Sequence, residues 1–198
     1  MSFELSISVA EATFRDSTSP AQRSAMMPPR ENIIAAEVDS PLGRLMIVAG
    51  ETHLSGLTFL NRRLLSTAAK EWADDLGQSV MIGENGITQT CEIQLNEFFA
   101  GLRTSFEMPL QISGTTFQRR VWETLLTVPY GETVSYGDLA EMIDKPNAYR
   151  AVGNANGANR IAIIIPCHRV IAAGGKLGGY GGALWRKKAL LELEQQRA

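Results

Sequence analysis

Between residues 33 and 60, three runs rich in Ile, Val and Leu are cut by Ser40-Pro41-Leu42-Gly43 and Gly50-Glu51-Thr52-His53. The runs are Ile33 to Val38, Arg44 to Ala49 and Leu54 to Leu60, and β-branched runs bounded by turn formers predict strands joined as a meander. The period then lengthens. Leu64 to Leu76 suits a helix, and Cys91, Leu95, Phe98 and Phe99 stand at i, i+4, i+7 and i+8, one apolar helix face. That spacing makes Cys91 a core residue rather than a reactive one. Phe106, Met108 and Leu110 alternate with polar neighbours and predict a further short strand, after which Ser113-Gly114-Thr115 opens a new segment. The chain is expected to divide into a flexible arm over residues 1–30, a sheet-and-helix lobe over 31–110 and a mostly helical lobe over 111–198.

In the last of these, Phe117, Val121 and Leu125 recur every fourth residue, with Trp122 to one side, until Pro129-Tyr130-Gly131 ends the helix. Ser135 and Asp138 have the spacing of a capping box. Leu139, Met142 and Ile143 give the second helix its buried face, and Lys145-Pro146-Asn147 breaks it. A third helix is expected from about Ala148, carrying the small residues Ala148, Ala151, Gly153, Ala155, Gly157 and Ala158 around one long cation, Arg150. Two short helices joined by a tight turn fit a helix-turn-helix, and equally an ordinary packed pair. Small side chains allow close approach of a helix or of a DNA backbone, and Arg among them suits a minor groove.

The segment Ile161 to Pro166 is an apolar, β-branched run ending at proline, and it predicts a buried extended stretch that delivers Cys167 where regular structure stops. A thiol is nucleophilic as thiolate, and His168 and Arg169 are candidates for lowering its pKa. An isolated Cys-His pair also fits a small buried hydrophobe beside a histidine satisfied by backbone.

Composition narrows the classes. The hydrophobic share is 44% and the charged share 20%, and no stretch has the roughly 18 consecutive apolar residues of a membrane helix. A soluble globular protein is expected. Residues 1–30 lack the basic start, apolar centre and cleavage signature of a secretory signal, so a cytoplasmic location is expected, with Cys91 and Cys167 both thiols. Net charge is −2, unevenly spread. Residues 1–110 hold eight Lys or Arg against fourteen Asp or Glu, and residues 111–198 hold eleven against seven. From Lys145 to Leu191 there are eight basic residues (Lys145, Arg150, Arg160, Arg169, Lys176, Arg186, Lys187, Lys188) and no acidic one, which suits a polyanion, or equally a solvated face opposite an acidic lobe.

The segment Ile165-Pro166-Cys167-His168-Arg169-Val170 resembles the active-site signature of the O6-alkylguanine-DNA alkyltransferases, the methylated-DNA-protein-cysteine methyltransferases. The resemblance extends in family order through Gly114-Thr115-Thr116-Phe117-Gln118, Val121-Trp122, Pro129 to Tyr136, Arg150-Ala151-Val152-Gly153, Gly178-Gly179-Tyr180 and Arg186-Lys187. It is strong over residues 111–195, holds in outline over 33–110, and is absent from the first 30.

The resemblance implies an α/β (α+β) fold: an amino-terminal ribonuclease-H-like lobe and a mostly helical, winged-helix-like DNA-binding lobe. It implies Cys167 as the alkyl acceptor. His168 would remove the thiol proton through a water, and Glu194 would orient the imidazole. A helix period sets Glu192 roughly 200° from Glu194, so only one of the two faces the site. Asn159 would hold the thiol and adjacent turns, and Tyr136 would donate to the leaving guanine. Val170 and the Tyr180-Gly181 backbone would line the base pocket. The helix bearing Ala148, Ala151 and Gly153 would contact DNA while Arg150 fills the space left by an extruded base, because the alkyl carbon on guanine O6 lies inside the stack.

The implied partner is double-stranded DNA carrying O6-alkylguanine, with O4-alkylthymine as a second substrate. The protein is expected to be a monomer with no membrane partner, no cofactor and one turnover, since no second thiol is placed to reverse a thioether. His53 and His168 with two cysteines leave no ligand set for the zinc site some relatives carry. Asn159 to Ala162 resembles the repair half of the bacterial adaptive-response protein, but the cysteines of its methyl-sensing module are lacking. Many relatives have proline where Arg160 stands and serine near Gly181, which leaves pocket width open. Two other readings are a cysteine-dependent hydrolase, for which adjacent residues on an extended chain point the wrong way, and a damage sensor that flips the base without transfer, against which Cys167, His168 and Glu194 argue.

Overall fold

The computed structural model describes residues 31–197. The arm expected over residues 1–30 lies outside the described residues. Three strands follow one another, β1 (Ile33–Val38), β2 (Leu45–Ala49) and β3 (Leu54–Phe59), then α1 (Leu65–Leu76), β4 (Val80–Ile82) and α2 (Gly86–Ala100). The sheet order is β3-β2-β1-β4, antiparallel except that β4 lies parallel to β1, with Ile33 opposite Val80.

Helices cover both faces of this sheet, which explains why β2 reads Leu-Met-Ile-Val-Ala without alternation and is buried at every position. Met46 and Val48 join Ile33, Ala35, Ala68 and Ala69 in a cluster beneath α1. Leu45, Ile47 and Ala49 point the other way and join Cys91, Leu95 and Phe98 of α2. Cys91 is fully buried, and burial pushes its thiol up to about 12, so it is an inert core residue. Phe106 to Leu110 is not a strand. Only Leu54 and Leu110 form a bridge, and Phe106 and Met108 pack on the core as an irregular crossing segment.

The second half comprises α3 (Thr116–Leu125), β5 (Val134–Ser135), α4 (Tyr136–Met142), α5 (Tyr149–Gly157), β6 (Val170–Ile171) and α6 (Leu184–Gln195). Thr115 with Gln118 and Ser135 with Asp138 both close reciprocal capping boxes. A short 3₁₀ turn, Pro146–Ala148, leads into α5. Trp122 ties α3 to α5 through an indole N–H donated to the Ala155 carbonyl at 2.8 Å. The core beneath α2 continues without interruption through Val121, Leu139, Val152, Ile163 and Leu190.

The largest departure from expectation is at Ile161 to Ile165, which turns rather than extends. One bridge joins Ile161 to Leu57, and the chain then folds back, with Ile165 N–H donating to the Ile161 carbonyl at 3.0 Å. Ile163 is left-handed at φ 70, a strained state for a β-branched residue. An apolar run signals burial, and its periodicity cannot separate a buried strand from a buried turn.

Gly56 on β3 packs directly under Trp72 of α1, where an added Cβ would lie 2.4 Å from the indole ring; at Gly86, the first residue of α2, it would meet nothing. Gly56→Ala should therefore lower unfolding free energy by roughly 1–3 kcal/mol in urea titrations. Gly86→Ala should change it by less than about 0.5 kcal/mol.

Candidate functional site

Cys167 opens a 3₁₀ turn, Cys167–Arg169, directly after the Ile161–Ile165 fold-back. Asn159 makes that fold-back possible. Its side chain accepts from Ile161 N–H at 2.9 Å and donates to the Ile165 carbonyl at 2.9 Å, satisfying backbone groups that a strand partner would otherwise have served. Asn156 on α5 donates to the Cys167 carbonyl at 3.2 Å. The sulfur-bearing residue is held from two sides.

Cys167 is 5% exposed and lines a cavity of about 210 Å³ with Thr58, Phe59, Asn61 and Arg63 from the sheet-bearing half and Asn156, Asn159, Ala162, Tyr180, Gly181 and Gly182 from the other. Burial pushes its thiol up; the Asn159 side chain, the Lys187 charge and nearby backbone N–H groups pull the other way without prevailing. The thiol is therefore protonated at rest. Of the expected contributors, His168 lowers the pKa only through its backbone N–H, and the Arg169 charge is committed to Glu194 instead.

His168 and Glu194 are both fully buried, and Nε2 of the imidazole lies 2.8 Å from Glu194 Oε1. Arg169 grips the same carboxylate with two N–H groups, Nε to Oε2 at 2.9 Å and Nη2 to Oε1 at 3.1 Å, and donates to the Val128 carbonyl through Nη1. The Gly131 N–H also donates to Oε2. Burial alone would raise the Glu194 carboxyl, but hydrogen bonds from His168 and Arg169 and the Arg169 charge outweigh it and hold the group at about 2. Burial lowers the His168 pKa against the pull of Glu194, leaving a neutral ring. With Nε2–H donated to the carboxylate, Nδ1 carries the lone pair, and no group among the described residues satisfies it. Glu192 is exposed and lies 3.6 Å from Lys188.

Tyr136 begins α4, half-buried, with its ring against Gly153. Burial raises its pKa, the Gly179 backbone opposes this, and Cys167 would add to the rise once it is a thiolate. Tyr180 and Gly181 are in the cavity wall with Cys167, whereas Val170 and Tyr136 are not among its lining residues. Val170 is fully buried and pairs with Val134 across β5 and β6. Arg150 is exposed at the start of α5, 5.7 Å over the Tyr149 ring. Ala151, Asn154, Gly157 and Ala158 continue that exposed face, Ala148 and Gly153 are half-buried, and Ala155 is buried.

Sequence reasoning passed over Asn156 and assigned Lys187 to a polyanion surface. Lys187 is 0% exposed; its ammonium donates to three carbonyls, those of Val170, Leu177 and Gly179, and burial brings its pKa down to about 8. Its spacing was a usable signal, since Lys187, Leu190, Leu191 and Glu194 form one helix face. Of the eight cations in the acid-free stretch, Arg169, Arg186 and Lys187 are buried, and Arg160 pairs with Asp75 at 2.8 Å. The basic stripe is much smaller than it reads. No group of His, Cys, Asp and Glu that could hold a metal ion occurs among the described residues, nor any helix long and apolar enough to cross a membrane.

Comparison with known families accounts for nearly all of the described chain. The model for the 6-O-methylguanine DNA methyltransferase ribonuclease-like domain matches residues 33–112, and that for its DNA binding domain matches residues 116–196. A Mycobacterium bovis methylated-DNA–protein-cysteine methyltransferase is 49% identical over 161 residues, covering 81% of this chain and 92% of the relative. One from Methanosarcina barkeri is 40% identical over 158 residues, covering 80% and 94%. Among solved structures, Mycobacterium tuberculosis OGT in complex with DNA superposes with a TM-score of 0.72 at 46% identity, covering 83% of this chain and 94% of that one. The O6-methylguanine-DNA methyltransferase of Pyrococcus kodakaraensis gives 0.61 at 27% identity, covering 82% and 98%. The amino-terminal sheet with its two helices is thus the ribonuclease-like domain, the helical remainder is the DNA-binding domain, and the chain belongs to the methylated-DNA–protein-cysteine methyltransferase family.

Proposed function

We propose that this protein repairs alkylated DNA by moving the alkyl group from guanine O6 in a duplex onto Cys167 Sγ, once per molecule, with O4-alkylthymine as a second substrate. The observation that carries the reading is the meeting of a protonated, cavity-lining thiol with a buried neutral histidine on the adjacent residue, whose ring is fixed by Glu194. In the proposed step the Cys167 proton passes by way of a water to His168 Nδ1, and the sulfur attacks the alkyl carbon. The carbon–oxygen bond breaks as the carbon–sulfur bond forms, and the imidazolium is stabilised by Glu194. Tyr136, kept protonated by burial, donates to the departing guanine. The product is a thioether, and Cys91, fully buried in α2 with its thiol pushed up to about 12, is no nucleophile to reverse it.

Labour divides along the chain. Residues 31–110 supply a scaffold and one cavity wall, and residues 111–198 supply the thiol and the DNA contacts. α4 and α5 act as a helix-turn-helix whose second helix presents Arg150 and the small exposed residues Ala151, Gly157 and Ala158. The enclosed position of Cys167 requires the base to leave the stack, and Arg150 takes its place.

Incubation with duplex DNA carrying radiolabelled O6-methylguanine should transfer label to protein, saturate at one per chain, and give none with Cys167→Ala. Label released over many turnovers would replace the reading with hydrolysis, and binding without transfer with a damage sensor. Arg150→Ala should slow repair in duplex DNA by about tenfold or more while leaving reaction with free O6-benzylguanine nearly unchanged. Equal losses on both substrates would remove the wedge role. The Glu194 carboxyl titrates at about 2 in the folded protein and at ~4.3 when unfolded, so its stabilisation is complete above the unfolded value and is lost as pH falls towards the folded one. Melting temperatures recorded across that acid range should fall more steeply for the unaltered protein than for Glu194→Gln; parallel curves would mean that the carboxylate is not held ionised by its partners.

A further inference from the structure

Arg186 precedes the buried Lys187 in the first turn of α6 and is itself 9% exposed. Its guanidinium sits 4.3 Å from the Phe59 ring centroid and 4.7 Å from that of Trp185. It donates through Nε to the Leu42 carbonyl at 2.7 Å, and through Nη1 to the Gly182 carbonyl at 2.8 Å and the Asn61 side-chain oxygen. Leu42, Phe59 and Asn61 belong to the ribonuclease-like half; Gly182 and Trp185 belong to the DNA-binding half. One planar cation thus joins the two.

The joined elements are the walls of the Cys167 cavity. Phe59 and Asn61 line it on one side, and Tyr180, Gly181 and Gly182 line it on the other. The fit is close: a Cβ on Gly182 would stand 2.7 Å from the Tyr180 ring and 3.0 Å from the Phe59 ring. Across the cavity Asn61 and Arg62 are successive left-handed residues, at φ 49 and 71, a costly pair unless outside contacts hold it. A phosphate-binding role for Arg186, as the basic stretch suggested, does not fit a guanidinium so engaged. Lysine could not replace it, having neither a flat face to lie against rings nor a fork reaching several acceptors.

We propose that Arg186 is a positioning residue for alkyl transfer, clamping the Tyr180-Gly181-Gly182 wall of the cavity to the Phe59–Asn61 corner, so that the ribonuclease-like half shapes the space in which the base and its alkyl group are seated. The inference rests on Cys167 being the alkyl acceptor. It gives the amino-terminal half a part in substrate seating beyond that of scaffold.

Two substitutions test the clamp from opposite sides. Arg186→Met keeps the apolar stem and removes the fork; Asn61→Gly removes one acceptor while suiting a left-handed backbone. Single-turnover rates would be measured with free O6-benzylguanine over a concentration series, and separately with iodoacetamide, with modification of Cys167 followed by peptide mass spectrometry. Arg186→Met should raise the half-saturating O6-benzylguanine concentration about tenfold or more, Arg186→Lys should not restore it, and iodoacetamide rates should stay within about twofold of the unaltered protein. Asn61→Gly should show a smaller loss in the same direction, and the double variant should lose no more than Arg186→Met alone. Unchanged O6-benzylguanine saturation, equal losses with both reagents, or additive losses in the double variant would each overturn the clamp. Failure of the unaltered protein to take up benzyl at Cys167 would instead overturn the acceptor reading itself.

Discussion

A single buried carboxylate organises the carboxy-terminal half of this protein. Glu194 accepts from His168, twice from Arg169 and once from the Gly131 backbone. Placing an ion where its side chain has no exposure costs several kcal/mol unless its lone pairs are filled, and here they are. The consequence is geometric. The end of α6, the turn after Cys167 and the Val128–Gly131 segment are fixed at one point, and the imidazole presents one nitrogen to the carboxylate and the other away from it.

The chain reaches that point through a strained turn. Ile163 holds a left-handed conformation in the interior, kept there by apolar packing around Ile164 and Ile165 and by Asn159, which closes the fold-back through its side chain. Without that amide the Ile161 N–H would be buried without a partner, a loss of about 1–3 kcal/mol, and the Ile165 carbonyl would keep only the Cys167 N–H. Asn159 is thus structural and chemical at once, since its side chain also opposes the rise in the Cys167 pKa.

Cations serve the interior more than the surface. Lys187 has three N–H groups and meets three carbonyls, a match only the charged form completes. Its partners Leu177 and Gly179 lead directly into the cavity wall at Tyr180, and Arg186 secures the same wall at Gly182. Two neighbouring cations brace one loop, while Arg150 and Lys176 remain exposed towards solvent.

Much of this was legible in the sequence. The three amino-terminal strands, the core position of Cys91 and the capping box at Ser135 depend on residues close together in the chain, so local pattern sufficed. The family followed from ordered motifs around Pro166-Cys167-His168-Arg169. Three matters were settled only by tertiary contacts. Ile161 to Ile165 turns because Asn159 and a single bridge to Leu57 replace a strand partner. Phe106 to Leu110 crosses the core without one. Arg169, Arg186 and Lys187 read as a polyanion surface because linear charge carries no record of burial, and their acceptors lie 4 to 144 residues away in the chain, most of them beyond the reach of a local pattern. Sequence by itself determined which groups could react; folding decided which of their charges were already spoken for, because hydrogen-bond partners so remote leave no local trace.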